Sequence, residues 1–314
     1  MGDLWEGAGR VPQKGSFRFA FNVVRSTDLQ GGHPENKGLD DSGQVITVPE
    51  HRHEVSLDLL RVEFEFQYTF LNHWDFVFRA PYDTKDQSSE VGFVDPATQE
   101  EKAAMLRNME LHHRTESYRG FSDLMALVAY RDHDVLRQGD SFRIAFGTSL
   151  PVGQTEEDPF NLAKKAEEHL HIQFGTGTFD PLLELYYQLP LAGKLSLGAF
   201  TLGRFPLYEN NKSYQGPVEV SAGASLGYLI GKRFFLHGDG SFFYQSRAQW
   251  DGEDDINSGL RSTSALVGLS VNMSQDTTLG IDFLYPISQS TLDSEGDTFE
   301  RGNTFLFRIS RSFP

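Results

Sequence analysis

The residues best suited to chemistry in this sequence are histidines that stand close together. Imidazoles two positions apart on an extended segment share one face, and such pairs can bind Zn²⁺ or Cu²⁺. The spacings match no established metal motif, so solvated loop histidines are the favoured interpretation and a metal site is the alternative. The candidate ligands, which lie with His33 in or beside the first long loops expected below, are His51, His53, His112, His113, His169 and His171.

No catalytic arrangement stands out beside these histidines. The chain has no cysteine, no phosphate-binding glycine loop and no dinucleotide fingerprint. A nucleophile elbow needs a strand-to-helix turn, whereas Gly223-Ala224-Ser225 lies in a plain alternating stretch whose small residues are expected to face a barrel interior. We therefore predict that the protein is not an enzyme and needs no cofactor.

The elements that must position these groups are predicted by an alternation of apolar and polar residues, which recurs about twelve times after Ser16. In the stretch 60–70 every even position is apolar and every odd one polar, and 218–228 has an apolar residue at every even position too. Alternation places one set on each face of a strand. Aromatic-rich faces opposite charged or small residues are typical of a barrel that is apolar outside and wet inside.

Short and long connections are expected to alternate between these strands, as they do in outer-membrane barrels, and an even strand number puts both termini on the short-turn side. The strands are expected near 16–25, 54–70, 74–82, 119–131, 140–151, 171–189, 195–206, 216–229, 233–247, 260–272, 276–286 and 303–313. The sequence therefore predicts an all-β fold, a single transmembrane antiparallel β-barrel of about twelve strands with long extracellular loops and short periplasmic turns. Residues 16–314 would form the barrel, and residues 1–15 either a plug or a periplasmic segment.

Composition excludes several other classes of protein. A formal net charge of −16 argues against nucleic acid as a partner. The absence of an 18-residue apolar stretch argues against membrane-spanning helices, whereas barrel strands dilute their apolar residues by half. No basic region followed by an apolar core begins the chain, so we expect no signal peptide in it, which is the main point against export.

The lumen face is the expected functional surface. Charges of both signs in a narrow lumen must be solvated or paired, because an isolated buried charge costs several kcal/mol. Two interpretations stay open, an ion-paired and nearly closed interior or a transverse field that orients a polar solute in a pore. The residues expected to line the lumen are Arg18, Arg61, Glu63, Glu65, Asp75, Arg79, Asp123, Arg143, Glu184, Arg204, Glu219, His237, Asp239, Asp282 and Arg308.

Three short motifs carry a family resemblance: Phe174-Gly-Thr-Gly-Thr-Phe-Asp-Pro181, the hairpin 68–82 and the stretch 120–131. Through them, residues 54–314 resemble the outer-membrane proteins named for the meta-cleavage pathway of phenol degradation. The resemblance implies a barrel that passes small, often hydrophobic molecules, and it implies no catalytic residues.

The first of these motifs places two glycines, Gly175 and Gly177, ahead of Asp180 in a predicted strand of the barrel wall. Glycine weakens a strand but lets another backbone approach closely. A bend or bulge of the barrel is the favoured interpretation, and a gap in the wall or a seat for a plug is the alternative.

Helical spacing of apolar residues in 96–114 and 159–170 predicts helices in two long loops, either as caps or constrictions of the barrel or as exposed loop helices and partner surfaces.

The sequence thus predicts a channel of the bacterial outer membrane for a small solute, hydrophobic or aromatic by family resemblance. A plugged, non-conducting barrel that serves as a scaffold for a periplasmic or surface partner is the alternative. A soluble lipid-binding barrel is a third possibility and would require the phenylalanine faces to point inward. Expected partners are outer-membrane lipid and lipopolysaccharide, the solute, and a protein that contacts the long loops or the N-terminus.

Overall fold

The computed structural model describes residues 13–165, 167–169, 173–191, 193–293, 296 and 298–314, with His112 described through its backbone alone. These residues contain helices α1 (Gln99–His112) and α2 (Pro159–Lys164). Among them, no helix is long and apolar enough to span a membrane. The strands are β1 (Phe17–Leu39), β2 (Val45–Leu71), β3 (Trp74–Phe93), β4 (Glu116–Phe121), β5 (Leu124–His133), β6 (Ser141–Leu150), β7 (Pro181–Pro190), β8 (Leu195–Arg204), β9 (Tyr214–Gln215), β10 (Glu219–Ile230), β11 (Phe234–Gln245), β12 (Gln249–Trp250), β13 (Glu253–Asp254), β14 (Leu260–Asn272), β15 (Thr277–Thr291) and β16 (Asn303–Phe313).

Twelve antiparallel strands close into one barrel. Strands that follow one another along the barrel wall pair edge to edge, and β1 completes the ring by pairing with β16. Both β4 and β5 pair with β3, so the two act as halves of a single barrel strand. The short strands β9, β12 and β13 form a separate small sheet in the long loops. The predicted fold class and strand number are confirmed.

The aromatic faces of the strands point outward. Phe21 and Phe64 are 43% and 41% exposed, whereas the alternate residues Ala20 and Glu65 are 3% and 4% exposed. At the short-turn rim, the ring of Phe313 stacks on that of Phe17, with centroids 5.0 Å apart. A soluble barrel with its phenylalanines inside would show the opposite arrangement, so that interpretation is wrong.

Connection lengths sort by rim as expected, with one exception. The predicted loop 26–53 is mostly strand, because β1 and β2 continue to Leu39 and back from Val45 as a tall hairpin. Two register shifts, one of them beside Asp28 in the left-handed region at φ 63°, adjust the pairing within the hairpin. Alternation of apolar and polar residues fades there, because the inner face of the extension carries buried histidines and packs against helix α1. The alternation of residues therefore did not predict the upper part of this hairpin.

The short turn between β5 and β6 is organised by Asp140. One carboxylate oxygen accepts the backbone N–H of Val135 at 2.7 Å. The other accepts the N–H groups of Leu136 and Arg137, both at 2.9 Å, and the hydroxyl of Tyr187 at 2.8 Å. Burial by itself raises the pKa of Asp140, but these hydrogen bonds favour the carboxylate and hold the pKa below its usual value.

Asp140→Asn is expected to destabilise the barrel at neutral pH, because the amide keeps only one acceptor oxygen and its NH₂ group cannot accept the hydrogen bonds made to the other. A lowered pKa stabilises the fold above the usual aspartate pKa of about 3.9, and this contribution disappears as the pH falls through the folded-state value. The difference between wild type and variant should therefore vanish in acid. The readout is the temperature at which the barrel loses its heat-modifiable gel mobility, with Asp251→Asn in an exposed turn as control. Equal temperatures for wild type and Asp140→Asn at neutral pH would contradict the assignment.

Candidate functional site

The strand registers place the predicted lumen residues on the inner face of the barrel. Ala20 and Glu65 point inward, and residues paired directly across neighbouring strands share a face, so the pairing identifies the inward residues of every strand in the ring. Asp123 lies in the short break between β4 and β5. The inner face carries Arg18, Arg61, Glu63, Glu65, Asp75, Arg79, Arg143, Glu184, Arg204, Glu219, His237, Asp239, Asp282 and Arg308. Their part in transport stays a prediction.

Glu65 of β2 is the centre of the first charge network. Its buried carboxylate accepts a hydrogen bond from Nε of Arg79 in β3 at 2.8 Å. Nη2 of Arg308 lies 3.3 Å from the same carboxylate, and Nη2 of Arg18 lies 3.6 Å from it. Guanidinium groups from β1, β3 and β16 therefore surround one acid, which ties together strands on both sides of the β1–β16 closure.

Glu184 of β7 continues this network around the wall. It accepts hydrogen bonds from Arg79 and, at 2.9 Å, from Nη1 of Arg143 in β6. Because β5 and β6 lie between β3 and β7, the side chain of Arg79 reaches across two strands on the inner surface. The guanidinium of Arg143 also lies over the ring of Tyr186, 5.2 Å from its centroid. These contacts support the ion-paired interpretation for this side of the lumen.

Further lumen charges are paired within neighbouring strands. Nε of Arg61 donates to Asp83 at 2.7 Å, and Nη2 of Arg131 donates to Asp75 at 2.5 Å. Sequence reasoning missed Asp83 and Arg131, because the predicted strands ended at or before them. Both continue the alternation of their strands, which was the signal available. Amide donors serve two more of the predicted acids, with Asn22 on Glu63 at 3.1 Å and Gln245 on Glu219 at 2.8 Å.

His237 of β11 lies buried between two acids. Its Nδ1 is 3.3 Å from Asp239, and its Nε2 is 3.2 Å from Asp282 of β15. Ser225 lies across from Asp239 on β10, within the letters Gly-x-Ser-x-Gly at 223–227. That pentapeptide is extended strand rather than a strand-to-helix turn, and both imidazole nitrogens face carboxylates. The arrangement therefore has no nitrogen available to accept a serine proton, as a hydrolase requires.

One part of the inner face is apolar. Leu266 pairs with Leu284, and both are buried, although their strand neighbours Val267 and Tyr285 are more than half exposed on the outer face. Leu306 and Val24 face each other on β16 and β1 next to them. The apolar row, defined as Val24, Leu266, Leu284 and Leu306, thus crosses four adjacent strands on the lumen side, with an offset of two residues between β15 and β16, where Leu284 pairs with Thr304 and Leu306 with Asp282. Sequence reasoning missed it because only charged residues were sought on that face.

The glycine motif does not lie in a strand. β7 begins at Pro181, and residues 173–180 are irregular, so the predicted strand 171–189 is wrong over 173–180 and a strand bend or bulge at the glycines is wrong with it. Side-chain bonds replace the ladder there. Arg204 of β8 donates to Asp123 at 2.6 Å and to Asp180 at 2.8 Å. Thr176 donates its backbone N–H to Asp123 at 2.9 Å and its hydroxyl to Asp180 at 2.7 Å.

This buried polar cluster explains both glycines. A Cβ added at Gly175 would lie 2.1 Å from Oδ1 of Asp123, and Gly177 has a φ of +73°. Among the described strands, β4 pairs with β3 alone, so its second edge has no backbone partner. Residues 173–180 lie at this unpaired part of the wall. The motif therefore fills an interruption in the hydrogen-bonded wall.

Helix α1 lies over the inner side of the tall hairpin. Thr98 caps it by accepting the N–H of Glu101, whose side chain accepts the N–H of Thr98 in return. Ala104 and Met105 are fully buried against Val48 of β2. The helix expected within 96–114 is thus present and packed against the barrel rather than exposed. The second expected helix, in 159–170, is the short α2.

The histidine candidates separate into those that meet and those that do not. His51 and His53 are completely buried on the inner face of β2, and His113 is buried at the end of α1. His33 of β1 pairs directly with His53, and the three side chains of His33, His53 and His113 form one cluster. Burial lowers the pKa of His169, whose Nδ1 lies 2.9 Å from the carbonyl of Glu167. The His112 side chain and His171 lie outside the described residues.

Comparison with known proteins places the fold. No protein family matches the chain, and no curated protein matches it. It is similar to the structure of the COG4313 outer membrane channel from Pseudomonas putida F1, with a TM-score of 0.60, 13% identity and 98% of each chain covered. It also aligns with the NanC porin at a TM-score of 0.44, 10% identity and 91% and 99% coverage of this chain and that one. The first likeness shows that this chain has the fold of an outer membrane channel.

Gly175→Ala is expected to destabilise the barrel, because the added methyl group would displace the Asp123 carboxylate from its bonds to Thr176 and Arg204. The temperature at which heat-modifiable mobility is lost should fall. Gly240→Ala is the matched control, since a Cβ at this strand position meets nothing within 4 Å. Equal stability of the two variants would show that the polar cluster does not require glycine.

Proposed function

We propose that this protein is an outer-membrane channel that passes a small hydrophobic or aromatic solute. The observation that carries the proposal is the composition of the inner face, where the apolar row stands beside walls whose charges are ion-paired. Paired charges attract free ions weakly, while an apolar surface favours the aromatic part of a solute. The lumen is thus suited to a solute with little charge.

Location in the outer membrane is supported by the outer face. Exposed aromatic and aliphatic side chains surround the barrel, as lipid contact requires. Connections are short on one rim and long on the other, and both chain ends of the barrel lie on the short-turn rim. The short-turn rim would then face the periplasm, and lipid and lipopolysaccharide would surround the wall.

The nature of the solute is supported by the family resemblance, and passage through the membrane by the fold. The motifs in residues 54–314 resemble the family named for phenol degradation, which implies small hydrophobic cargo. The fold is that of a solved outer membrane channel. A barrel of twelve strands encloses more space than an eight-stranded one filled by side chains, but far less than a large porin. We therefore infer a small molecule as the cargo.

The alternative is a plugged barrel that serves as a scaffold for a periplasmic or surface protein. The bridging of Arg79 from β3 to Glu184 of β7 favours it, because a braced lumen can be a closed one. Of the segment 1–15, residues 1–12 lie outside the described residues, so its role as plug or periplasmic segment stays a prediction.

Single-channel recording in planar bilayers tests the proposal, with phenol as the aromatic probe and arabinose as a polar one. Phenol should block the current and arabinose should not. Leu306→Thr should raise the phenol concentration for half-block about five- to thirtyfold, since covering this partly exposed leucine with solute contributes roughly 1–2 kcal/mol. Ile281→Val, on the outer face of the neighbouring strand, is the control and should leave the block unchanged.

Three results would contradict the channel. Silence from a folded barrel, both full-length and lacking residues 2–12, would favour the scaffold. Equal block by phenol and arabinose would remove the preference for aromatic solutes. Unchanged block in Leu306→Thr would place the solute path away from the apolar row.

A further inference from the structure

We propose that His33, His53 and His113 form a binding site for a transition-metal ion of the Zn²⁺ class at the long-loop mouth of the barrel. Each imidazole offers one nitrogen, and the three nitrogens lie within 4.8 Å of one another. Ring centroids are 5.1 Å apart for His33 and His53, 5.5 Å for His33 and His113, and 5.6 Å for His53 and His113. The rings thus form a nearly equilateral triangle.

The size of this triangle is close to that of a metal site. Zinc binds imidazole nitrogen at about 2.0–2.1 Å in tetrahedral geometry, which separates two ligand nitrogens by roughly 3.4 Å. The nitrogens therefore need to approach by little more than an ångström. Rotation about the side-chain torsions supplies such a movement without a change in the backbone.

The backbone holds the three histidines in place from different parts of the chain. His33 and His53 are paired residues of β1 and β2, so the ladder sets their separation. His113 caps the end of α1 and donates its N–H to the carbonyl of Met109 at 2.7 Å. The helix is fastened to the same hairpin, because Nδ2 of Asn108 donates to the carbonyl of Lys37 at 3.2 Å.

A second contact fixes the same helix. Nε of Arg107 donates to the carbonyl of Leu39 at 2.8 Å, close to the tip of the hairpin. The end of α1 is therefore positioned by contacts independent of the histidines. Ligands fixed in this way lose little conformational entropy when a metal ion binds.

The composition and burial of the cluster indicate which ion it would take. The three-histidine group includes no carboxylate within the part of the chain that the structure describes. His53 is 0% exposed and His113 3%, whereas His33 is partly exposed and gives access from solvent. Neutral imidazoles suit Zn²⁺ and Cu²⁺ better than they suit the oxygen-seeking ions Ca²⁺ and Mg²⁺.

A neighbouring histidine extends the cluster. The ring of His51 lies 5.2 Å from that of His53. Its Nδ1 is 3.1 Å from the carbonyl oxygen of Pro49, a contact that leaves Nε2 as the nitrogen with a lone pair. Nε2 of His51 is buried without a hydrogen bond among the described residues. A tetrahedral ion at the three-histidine site would take its fourth ligand from water or from this neighbour.

The bound ion would join α1 to the β1–β2 hairpin. Two of its ligands come from adjacent strands and the third from the residue that caps the helix covering them. An ion that binds the folded arrangement alone stabilises it in proportion to its occupancy. The site would therefore act as a clasp that holds the helix over the inner side of the hairpin, independently of what passes through the lumen.

Isothermal titration of the detergent-solubilised full chain with ZnCl₂ tests the site, using protein that was stripped with EDTA and carries no polyhistidine tag. We expect one Zn²⁺ per barrel. His53→Gln and His113→Gln should each weaken binding at least ~10-fold. His73→Asn, at the short-turn rim, is the control and should bind like the wild type. X-ray absorption at the zinc edge should show at least three nitrogen ligands at about 2.0 Å.

Folding of each variant is checked by heat-modifiable gel mobility. His33→Gln, the least buried of the three, provides a further variant should the others fail to fold. Wild-type affinity in any correctly folded variant of the three would overturn the assignment, as would the absence of saturable binding to the wild type. A purely oxygen coordination shell would mean that zinc binds elsewhere. None of these results depends on conductance.

Discussion

Hydrocarbon offers no hydrogen-bond partner to a peptide group, so a barrel proposed to lie in lipid must pair its backbone within itself. This chain meets the constraint by joining its two ends, with a ladder from the Phe17–Phe313 pair to the Thr27–Asn303 pair. Closure then gives alternate residues two different surroundings. Side chains on the inner face meet one another across a confined space, which is why the acids and bases there occur as networks around Glu65 and Glu184 rather than as isolated ions.

The ladder is interrupted where β4 gives way to β5, and the structure substitutes side-chain bonds for backbone ones. Asp123, Asp180 and Arg204 come from a strand break, an irregular segment and a strand end, and they meet in one buried cluster. A guanidinium shared by two carboxylates, which also accept hydroxyl and amide donors, satisfies the polar groups that a gap in the sheet would leave. The same constraint of complete pairing thus governs the regular and irregular parts of the wall.

The strands could be predicted from the sequence where the two faces of a strand lie in different surroundings. Lipid on one side and a polar lumen on the other select alternating residues, so strand number and strand faces could be predicted. Prediction failed for residues 26–53, where the inner face of the hairpin carries buried histidines and packs against helix α1. It failed again at Gly175, where alternation suggested a strand but bonds to Asp123 hold the chain otherwise. The meeting of His33 with His113 depends on long-range register and helix packing, which local spacing does not encode.

The height of the β1–β2 hairpin has a consequence for biogenesis. A transmembrane strand needs about 9–11 residues, whereas β1 has 23 and β2 has 27. More than half of each strand, including Arg52 and Glu54, would have to be translocated through the bilayer before the barrel could reach its final depth. Moving such a polar segment through hydrocarbon is costly, so spontaneous insertion should be slow. The tall hairpin therefore makes insertion of this chain dependent on machinery that opens the membrane for it.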